Sequence, residues 1–180
     1  MRHGLRSVSG LALLALALAP SAAARPGGWA DLHRPLHIAH LAAGAACPVS
    51  HPDRAVDFAR FGVARGLGSG PAYPSLPRGA LVLGSLQGAG ASSPWKIQKV
   101  LWFIHPRSAG PVLVRGRRLD GPGLVRFGRG LAPGTELRIP AGTREQPSYT
   151  RLRSAGCYAY QVDGLTFSRV VIFRATFGGS

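Results

Sequence analysis

The chain contains few acidic residues, and this scarcity limits the chemistry that it can perform. Only 7 residues are Asp or Glu, against 22 Lys or Arg, so the formal net charge is +15. Most glycoside hydrolases need two carboxyl groups facing each other across the scissile bond. Asp53, Asp57 and Asp163 stand in sequence contexts typical of turns or of the start of a helix. The composition therefore disfavours catalysis by paired carboxylates.

The sequence also lacks the motifs that identify common hydrolases and metalloproteins. It contains no G-x-S-x-G and no C-x-x-C. His33, His37 and His40 have a spacing that would place them on one helical face. However, Pro35 interrupts that segment, and no Asp, Glu or Cys is suitably spaced to complete a metal site. We therefore predict no catalytic residues, no metal and no cofactor, and we favour a non-enzymatic protein.

A short apolar run near the N terminus predicts export. Residues 11–20 are almost purely Leu and Ala, and the run is half the length of about 20 residues that a transmembrane helix needs. It follows Arg2 and Arg6 and precedes the small residues 22–24, which is the order of a cleavable secretory signal. The sequence therefore predicts a signal peptide over residues 1–24 and a location in the cell envelope or outside the cell.

Cysteine is scarce as well, since Cys47 and Cys157 are the two cysteines of the chain. An even number in an exported protein most simply indicates one disulfide bond. The bond would close a loop of about 110 residues, which chain-entropy arguments value at about 4–5 kcal/mol. A catalytic or metal-binding pair has little support, and a lipid on Cys47 is disfavoured because Gly44 stands where lipidation signals carry Leu.

The positive charge predicts an anionic partner. Cleavage of the signal would remove Arg2 and Arg6 and lower the net charge of +15 by two, to +13. Such a surface suits an acidic envelope polymer, an anionic lipid surface or another envelope protein. Nucleic acid is not expected, because export separates the protein from it. A soluble cationic protein whose arginines reflect genome composition is the simpler alternative.

Glycine and proline divide the remaining chain. Pro26, Gly27, Gly28 and Pro35 interrupt regular structure near the processing site. We predict that residues 25–46 form a flexible leader and that residues 47–176 form the folded domain.

Short apolar or alternating runs separated by turns indicate the fold class. The predicted strands cover residues 80–86, 95–104, 110–119, 124–127, 136–139, 156–162 and 166–175. Asp163-Gly164 lies between the last two, as in a hairpin. With no long helix, the pattern predicts an all-β protein, a small antiparallel β-sandwich that is loosely immunoglobulin-like. A small barrel is the alternative. We expect Trp102 in the core, beside the disulfide of Cys157.

Three arginines are candidates for anion binding. Alternation places Arg115 and Arg117 on one face of their strand, and the tight turn that follows could return Arg126 to their side. Guanidinium groups in such an array can hold phosphate or carboxylate through two hydrogen bonds each. The competing interpretation is a solvated face or a structural pair such as Arg118 with Asp120, which is the commoner role of a charge run.

Five sequence blocks carry a resemblance to known proteins. They are CPVS at 47–50, KVLW at 99–102, GPVLVRGRRLDGPG at 110–123, PSYTRL at 147–152 and GCYAYQVDG at 156–164. In this order they resemble an uncharacterised family of exported bacterial proteins, over residues 47–176. The resemblance implies a disulfide-bearing β-sandwich of the cell envelope, with the cysteines in recurrent blocks at either end, and it supplies no site residues.

These observations predict an exported β-sandwich that acts as a binding or structural module through a basic surface. The alternative is a secreted enzyme, such as a hydrolase of an envelope polymer. A hydrolase would need a pocket that contains acids, and the chain has few to offer.

Overall fold

The structure is a computed structural model that describes residues 28–84 and 93–178. The predicted signal peptide, residues 1–24, lies outside the described residues. Short 3₁₀ helices cover Trp29–Leu32, Ala59–Phe61 and Pro77–Gly79. The strands are β1 (Ala72–Pro74), β2 (Ala80–Leu83), β3 (Lys96–Ile104), β4 (Val112–Arg118), β5 (Arg126–Phe127), β6 (Leu137–Ile139), β7 (Glu145–Leu152), β8 (Gly156–Gly164) and β9 (Ser168–Phe177).

The strands form two sheets packed against each other, which confirms the predicted β-sandwich. The four-stranded sheet has the order β1-β3-β7-β5, and the five-stranded sheet has the order β2-β9-β8-β4-β6. Neighbouring strands are antiparallel except β2 and β9, which run parallel. Among the described residues, no helix is long and apolar enough to cross a membrane.

Side-chain alternation along the strands builds the core between the sheets. Trp102 of β3 is fully buried and meets the ring of Tyr160 of β8 edge-on, with 5.2 Å between ring centres. Tyr160 in turn stacks on Phe173 of β9 at 4.4 Å. Burying side chains of this size stabilises a fold by about 1.5–3 kcal/mol each. This aromatic column therefore joins the two sheets.

Two strands were not predicted from the sequence, and each contains a proline. Pro74 ends β1, and Pro147 lies inside β7 opposite Leu101 of β3. Proline lacks the N–H that a central strand needs, so it argues against a strand. Among the described strands, β5 pairs with β7 only at Thr150 and Arg151. Pro147 therefore lies where that edge of β7 has no described partner strand to receive an N–H.

Residues 28–46 pack on the outer face of the five-stranded sheet, which differs from the flexible leader that the sequence predicts. Ile38 forms a second apolar cluster with Leu119 and Ala159, on the face opposite the core. The Leu41 N–H donates to the carbonyl oxygen of Leu119 at 2.8 Å. Glycine and proline interrupt helices and strands here, but irregular chain can still be held by contacts with a sheet.

A buried carboxylate, that of Asp163, helps to hold residues 28–46 on the outer face of the five-stranded sheet. Asp163 on β8 is fully buried on the outer face and accepts a hydrogen bond from Arg115 Nη2 at 2.8 Å. Ser168 Oγ and Gln161 Nε2 also donate to it, at 2.6 and 3.0 Å. Arg34 of the leader lies 3.6 Å from the same carboxylate. The leader, through Arg34, therefore contributes one of the positive charges that stabilise the buried carboxylate.

The leader also holds the β8–β9 turn. Arg34 Nη1 donates to the carbonyl oxygens of Gly164 and Phe167, both at 2.8 Å. Gln161 bridges to the leader backbone, because its side-chain carbonyl accepts from the His37 N–H at 2.7 Å and its amide donates to the Pro35 oxygen at 2.9 Å. These side-chain hydrogen bonds therefore join the leader to the β8–β9 turn.

The structure joins Cys47 and Cys157 in a disulfide, with a Cα–Cα distance of 5.5 Å. Cys157 faces outward from β8, in the cluster formed by the leader. Trp102 instead belongs to the core between the sheets. The expectation that Trp102 lies beside the disulfide is wrong, because alternation along β8 turns Cys157 and Tyr158 to opposite faces.

Replacing the buried carboxylate is expected to destabilise the protein. Asp163→Asn leaves Arg115 without its anionic partner, and breaking a buried ion pair typically costs about 3–5 kcal/mol. Urea denaturation of the variant should show a loss of that size in the free energy of unfolding. Glu145→Gln, which removes an exposed carboxylate from β7, should change it by less than about 0.5 kcal/mol. Equal stabilities of the two variants would contradict the role assigned to Asp163.

The disulfide can be tested by peptide mapping without reduction. We expect one cross-linked peptide pair containing Cys47 and Cys157, and none after reduction. The variant in which both are Ser should lose about 4–5 kcal/mol of unfolding free energy, because a loop of this length is no longer closed in the unfolded chain. Two free thiols or a lipid on Cys47 in the exported protein would exclude the disulfide.

Candidate anion-binding site

The structure does not bring the three predicted arginines onto one face. Arg115 is bound to Asp163 and to the Arg34 carbonyl, and Arg117 contacts the His40 ring. Both therefore face the leader on the five-stranded sheet. Arg126 lies on β5 in the other sheet. The first two arginines serve contacts within the protein, and Arg126 has different neighbours.

Arg126 lies beside a buried arginine that the sequence does not single out. Arg151 is its direct cross-strand partner on β7, so both side chains point to the outer face of the four-stranded sheet. Arg151 is nevertheless fully buried, and its Nη1 donates to the carbonyl oxygens of Gly128 and Gly130 at 3.2 and 2.9 Å. Its Nε and Nη2 have no hydrogen-bond partner among the described residues.

Burial without an anion is unfavourable for such a cation. Desolvation lowers the pKa of Arg151, because it penalises the charged form. An unsatisfied buried donor costs about 1–3 kcal/mol and more when it is charged. An anion close to this part of the sheet would reduce that cost, so Arg151 adds to the attraction that Arg126 exerts.

A cavity of about 370 Å³ opens next to Arg126. Its lining includes Trp95, Leu124, Arg126, Arg153, Ser154 and Tyr158. The Arg153 guanidinium carbon lies 4.5 Å from the centre of the Trp95 ring, in a cation–π contact. The volume falls within the range of small-ligand sites, about 300–1,000 Å³. The cavity thus combines two cations with an aromatic wall.

A hydrogen-bonded network fixes the wall of this cavity. Arg118 Nε donates to Asp120 Oδ1 at 2.6 Å, and Arg118 Nη1 donates to Ser154 Oγ at 2.9 Å. Asp120 Oδ2 accepts the Cys157 N–H at 3.0 Å, and the Tyr158 hydroxyl donates to the Ser154 carbonyl at 2.8 Å. The turns before β5 and before β8 are therefore tied together, and the predicted structural pair of Arg118 with Asp120 is present.

Four arginines of this face have no acidic partner. They are Arg126, Arg129, Arg151 and Arg153; none lies within 4.0 Å of a carboxylate in the described part of the chain, which includes all seven acids. The Arg129 guanidinium carbon lies 5.1 Å from the ring centre of Tyr149, an outward residue of β7. Unneutralised charges of one sign on one face create an attractive field for a polyanion.

A second cavity, of about 540 Å³, contains residues that could suggest a hydrolase. Asp53, Ser69 and His105 all line it, although they are far apart in the sequence. His105 Nδ1, however, accepts a hydrogen bond from the backbone N–H of Arg107 at 3.2 Å. The neutral ring must then carry its proton on Nε2. A Ser-His-Asp triad needs the reverse, a proton on Nδ1 and a free Nε2 facing the serine.

The three spaced histidines lie apart from any such site and serve the leader. His33 Nε2 lies 2.7 Å from Glu136 Oε2, His40 contacts Arg117, and the His37 backbone N–H binds Gln161. Within the described ranges, no group of three or more His, Cys, Asp or Glu residues is arranged to hold a metal ion.

The acid sensitivity of the Asp120 network should be measurable. Partial burial opposes ionisation, but hydrogen bonds from Arg118 and the Cys157 N–H lower the pKa of Asp120 below its ordinary value. A carboxyl group whose pKa is lower in the folded than in the unfolded state stabilises the protein at pH values above its unfolded-state pKa. This stabilisation is lost as the pH falls through the folded-state pKa. Asp120→Asn should therefore flatten the fall in unfolding free energy between about pH 6 and about pH 3.

Urea denaturation at several pH values supplies the measurement for Asp120→Asn. Glu145→Gln, which removes an exposed carboxylate, is the control and should keep the wild-type slope. A wild-type slope in Asp120→Asn would show that this network does not contribute to acid sensitivity.

Comparisons with known proteins found little. No family model matches the chain, and no curated protein matches it. One solved structure, described as a "Putative Lipoprotein from Bacillus anthracis", shares 12% identity with a TM-score of 0.36. The match covers 48% of this chain and 76% of the other. A TM-score this low carries no information on function.

Proposed function

We propose that this protein is an exported, non-enzymatic binding module that holds an anionic polymer of the cell envelope. The observation that carries the proposal is the group of four arginines without acidic partners on the outer face of the four-stranded sheet. We call this group, Arg126, Arg129, Arg151 and Arg153, the arginine cluster. Of the sequence candidates, only Arg126 belongs to it.

Export is the first part of the proposal, and two features support it. The N-terminal 24 residues have the order of a secretory signal. The Cys47–Cys157 disulfide suits an oxidising compartment, where such bonds persist. Export would bring the positively charged mature chain into contact with the acidic polymers and lipids of the envelope.

The chemistry of the cavity favours binding over cleavage. Arg126 and Arg153 can each form two parallel hydrogen bonds with a phosphate or carboxylate group. The Trp95 ring offers an apolar face against which a sugar or an aliphatic segment could pack. No Asp or Glu lines this cavity among the described residues, so it lacks the acid and base that glycoside hydrolysis requires.

Arg115 and Arg117 have a different role in this proposal. Their contacts with Asp163, the Arg34 carbonyl and His40 attach the leader to the sheet. They contribute to stability, and the polymer binds to the opposite side of the sandwich.

The proposal predicts that the mature protein binds soluble polyanions through the arginine cluster. Arg126→Ala/Arg153→Ala should weaken binding of polyphosphate and polygalacturonate at least about tenfold, because each lost charge-assisted hydrogen bond contributes about 1.5–3 kcal/mol. Calorimetric titration would measure the affinity. Affinity should also fall steeply with added salt.

The matched control is Arg144→Ala/Arg174→Ala, which removes the same charge from exposed positions away from the cluster. We expect it to change the affinity by less than about threefold, since exposed charges act weakly at a distance in salt. Equal losses in both double variants would show attraction by overall charge alone. Absence of binding to either polymer would also contradict the proposal.

A further inference from the structure

The second cavity, about 540 Å³ in volume, has a chemistry unlike that of the arginine cluster. It lies beside β1 at the edge of the four-stranded sheet and is closed on one side by residues 53–61. Its lining includes carboxylates, guanidinium groups and apolar side chains together. Such a mixture can select a small ligand by charge and shape at once.

An aromatic cluster forms a rigid base for this cavity. The Phe58 ring packs edge-on against Tyr73 and Phe103, with ring centres 5.1 and 5.9 Å apart. Phe61 packs against Phe103 at 5.0 Å and meets the His105 ring at 5.7 Å. These contacts fix the short 3₁₀ turn of residues 59–61 to the sheet, so the wall of the cavity is formed before any ligand binds.

One carboxylate is held ionised at the edge of that base. The Tyr73 hydroxyl donates to Asp53 Oδ2 and the Ala55 N–H donates to Asp53 Oδ1, both at 2.9 Å. Although partial burial opposes ionisation, these hydrogen bonds lower the pKa of Asp53. Gly70 allows the approach, because a Cβ there would lie 1.8 Å from the Tyr73 hydroxyl. A stable negative charge is therefore built into the site.

Opposite charges share the cavity without neutralising one another. Asp53 and Asp57 line it together with Arg60, Arg107 and Arg169. In the described part of the chain, no ion pair within 4.0 Å joins either aspartate to an arginine. A ligand with only a negative charge would be repelled by the aspartates, and a ligand with only a positive charge would be repelled by the arginines. A ligand that carries both charges can satisfy both.

We propose that this cavity binds a free α-amino acid with an apolar side chain. Its ammonium group would face Asp53 and Asp57, and its carboxylate would face Arg107 and Arg169. The apolar lining, which includes Val56, Phe61 and Pro71, would receive the side chain. The ammonium and carboxylate groups of an α-amino acid are bonded to the same carbon, so one small ligand presents both charges and its side chain together. The site is independent of the arginine cluster.

Chemical derivatives of one ligand test this on the wild-type protein. L-Leucine should bind saturably, and N-acetyl-leucine and leucine amide should each bind at least about tenfold more weakly, because each lacks one of the two charges. Two-dimensional ¹H–¹⁵N spectra during titration would measure affinity and show which amides shift. Residues 53–61 and 69–73 should shift most.

Single variants then test which charged side chains bind the ammonium and carboxylate groups of the ligand. Asp57→Asn and Arg107→Ala, both at exposed positions, should each weaken leucine binding about tenfold. The matched controls Glu145→Gln and Arg65→Ala remove the same charges from exposed positions outside the cavity and should leave it unchanged. The spectra also report whether each variant is folded.

Several outcomes would overturn the assignment. Leucine, phenylalanine and alanine could all fail to give saturable shifts in this region. N-acetyl-leucine could bind as tightly as leucine, which would make the site a carboxylate site only. Polyphosphate binding by Asp57→Asn should stay at the wild-type level, so failure at this cavity and failure at the arginine cluster are distinguishable.

Discussion

The buried carboxylate of Asp163 connects the leader to the five-stranded sheet and binds two arginines, Arg34 and Arg115. A charge with no solvent exposure is stable only where cations and hydrogen-bond donors surround it. Arg115 reaches it from the neighbouring strand β4, and Arg34 reaches it from the leader. Because the same Arg34 also binds the carbonyl oxygens of the β8–β9 turn, the hairpin and the leader depend on one electrostatic arrangement. The Cys47–Cys157 disulfide then fixes the other end of the leader to β8.

The scarcity of acids connects this arrangement with the proposed function. Of the seven acids, Asp163, Asp120 and Glu136 form the ion pairs with arginine that the structure describes. Those pairs stabilise the face of the five-stranded sheet that the leader covers, and the turn beside the cavity lined by Trp95 and Arg126. The arginine cluster on the other sheet is left with its charge unneutralised, although Arg151 is as deeply buried as a core residue. A chain with more acids could have paired these groups internally. With so few, the field of the cluster is available to an external anion.

Much of the fold could be predicted from alternation, and the failures have physical causes. The pattern along β4 correctly places Arg115 and Arg117 together on one face, because side chains alternate strictly in a strand. It could not show that the leader covers this face, since the contacts of Arg34 and Gln161 join residues more than 120 positions apart. Strand β7 was hidden by Pro147, and with it the outward position of Arg151. The sequence indicates Arg126 as a basic residue after a tight turn, but the neighbours of Arg126 depend on the order of strands in the sheet, which no local pattern contains.

The two cavities differ because they are built from different parts of the sandwich. The cavity lined by Trp95, Arg126 and Arg153 lies where two turns meet, and no acid of the described residues lines it. The nearby Asp120 is bound by Arg118 and the Cys157 N–H and supports the turn behind the wall. Cations therefore dominate the interior of that cavity. At the other cavity, Tyr73 and the Ala55 N–H hold Asp53 ionised, and among the described residues no arginine lies within 4.0 Å of this carboxylate. Its negative charge remains available beside the arginines. Whether a carboxylate is bound by an arginine or by neutral donors thus decides whether each cavity favours an anion or a zwitterion.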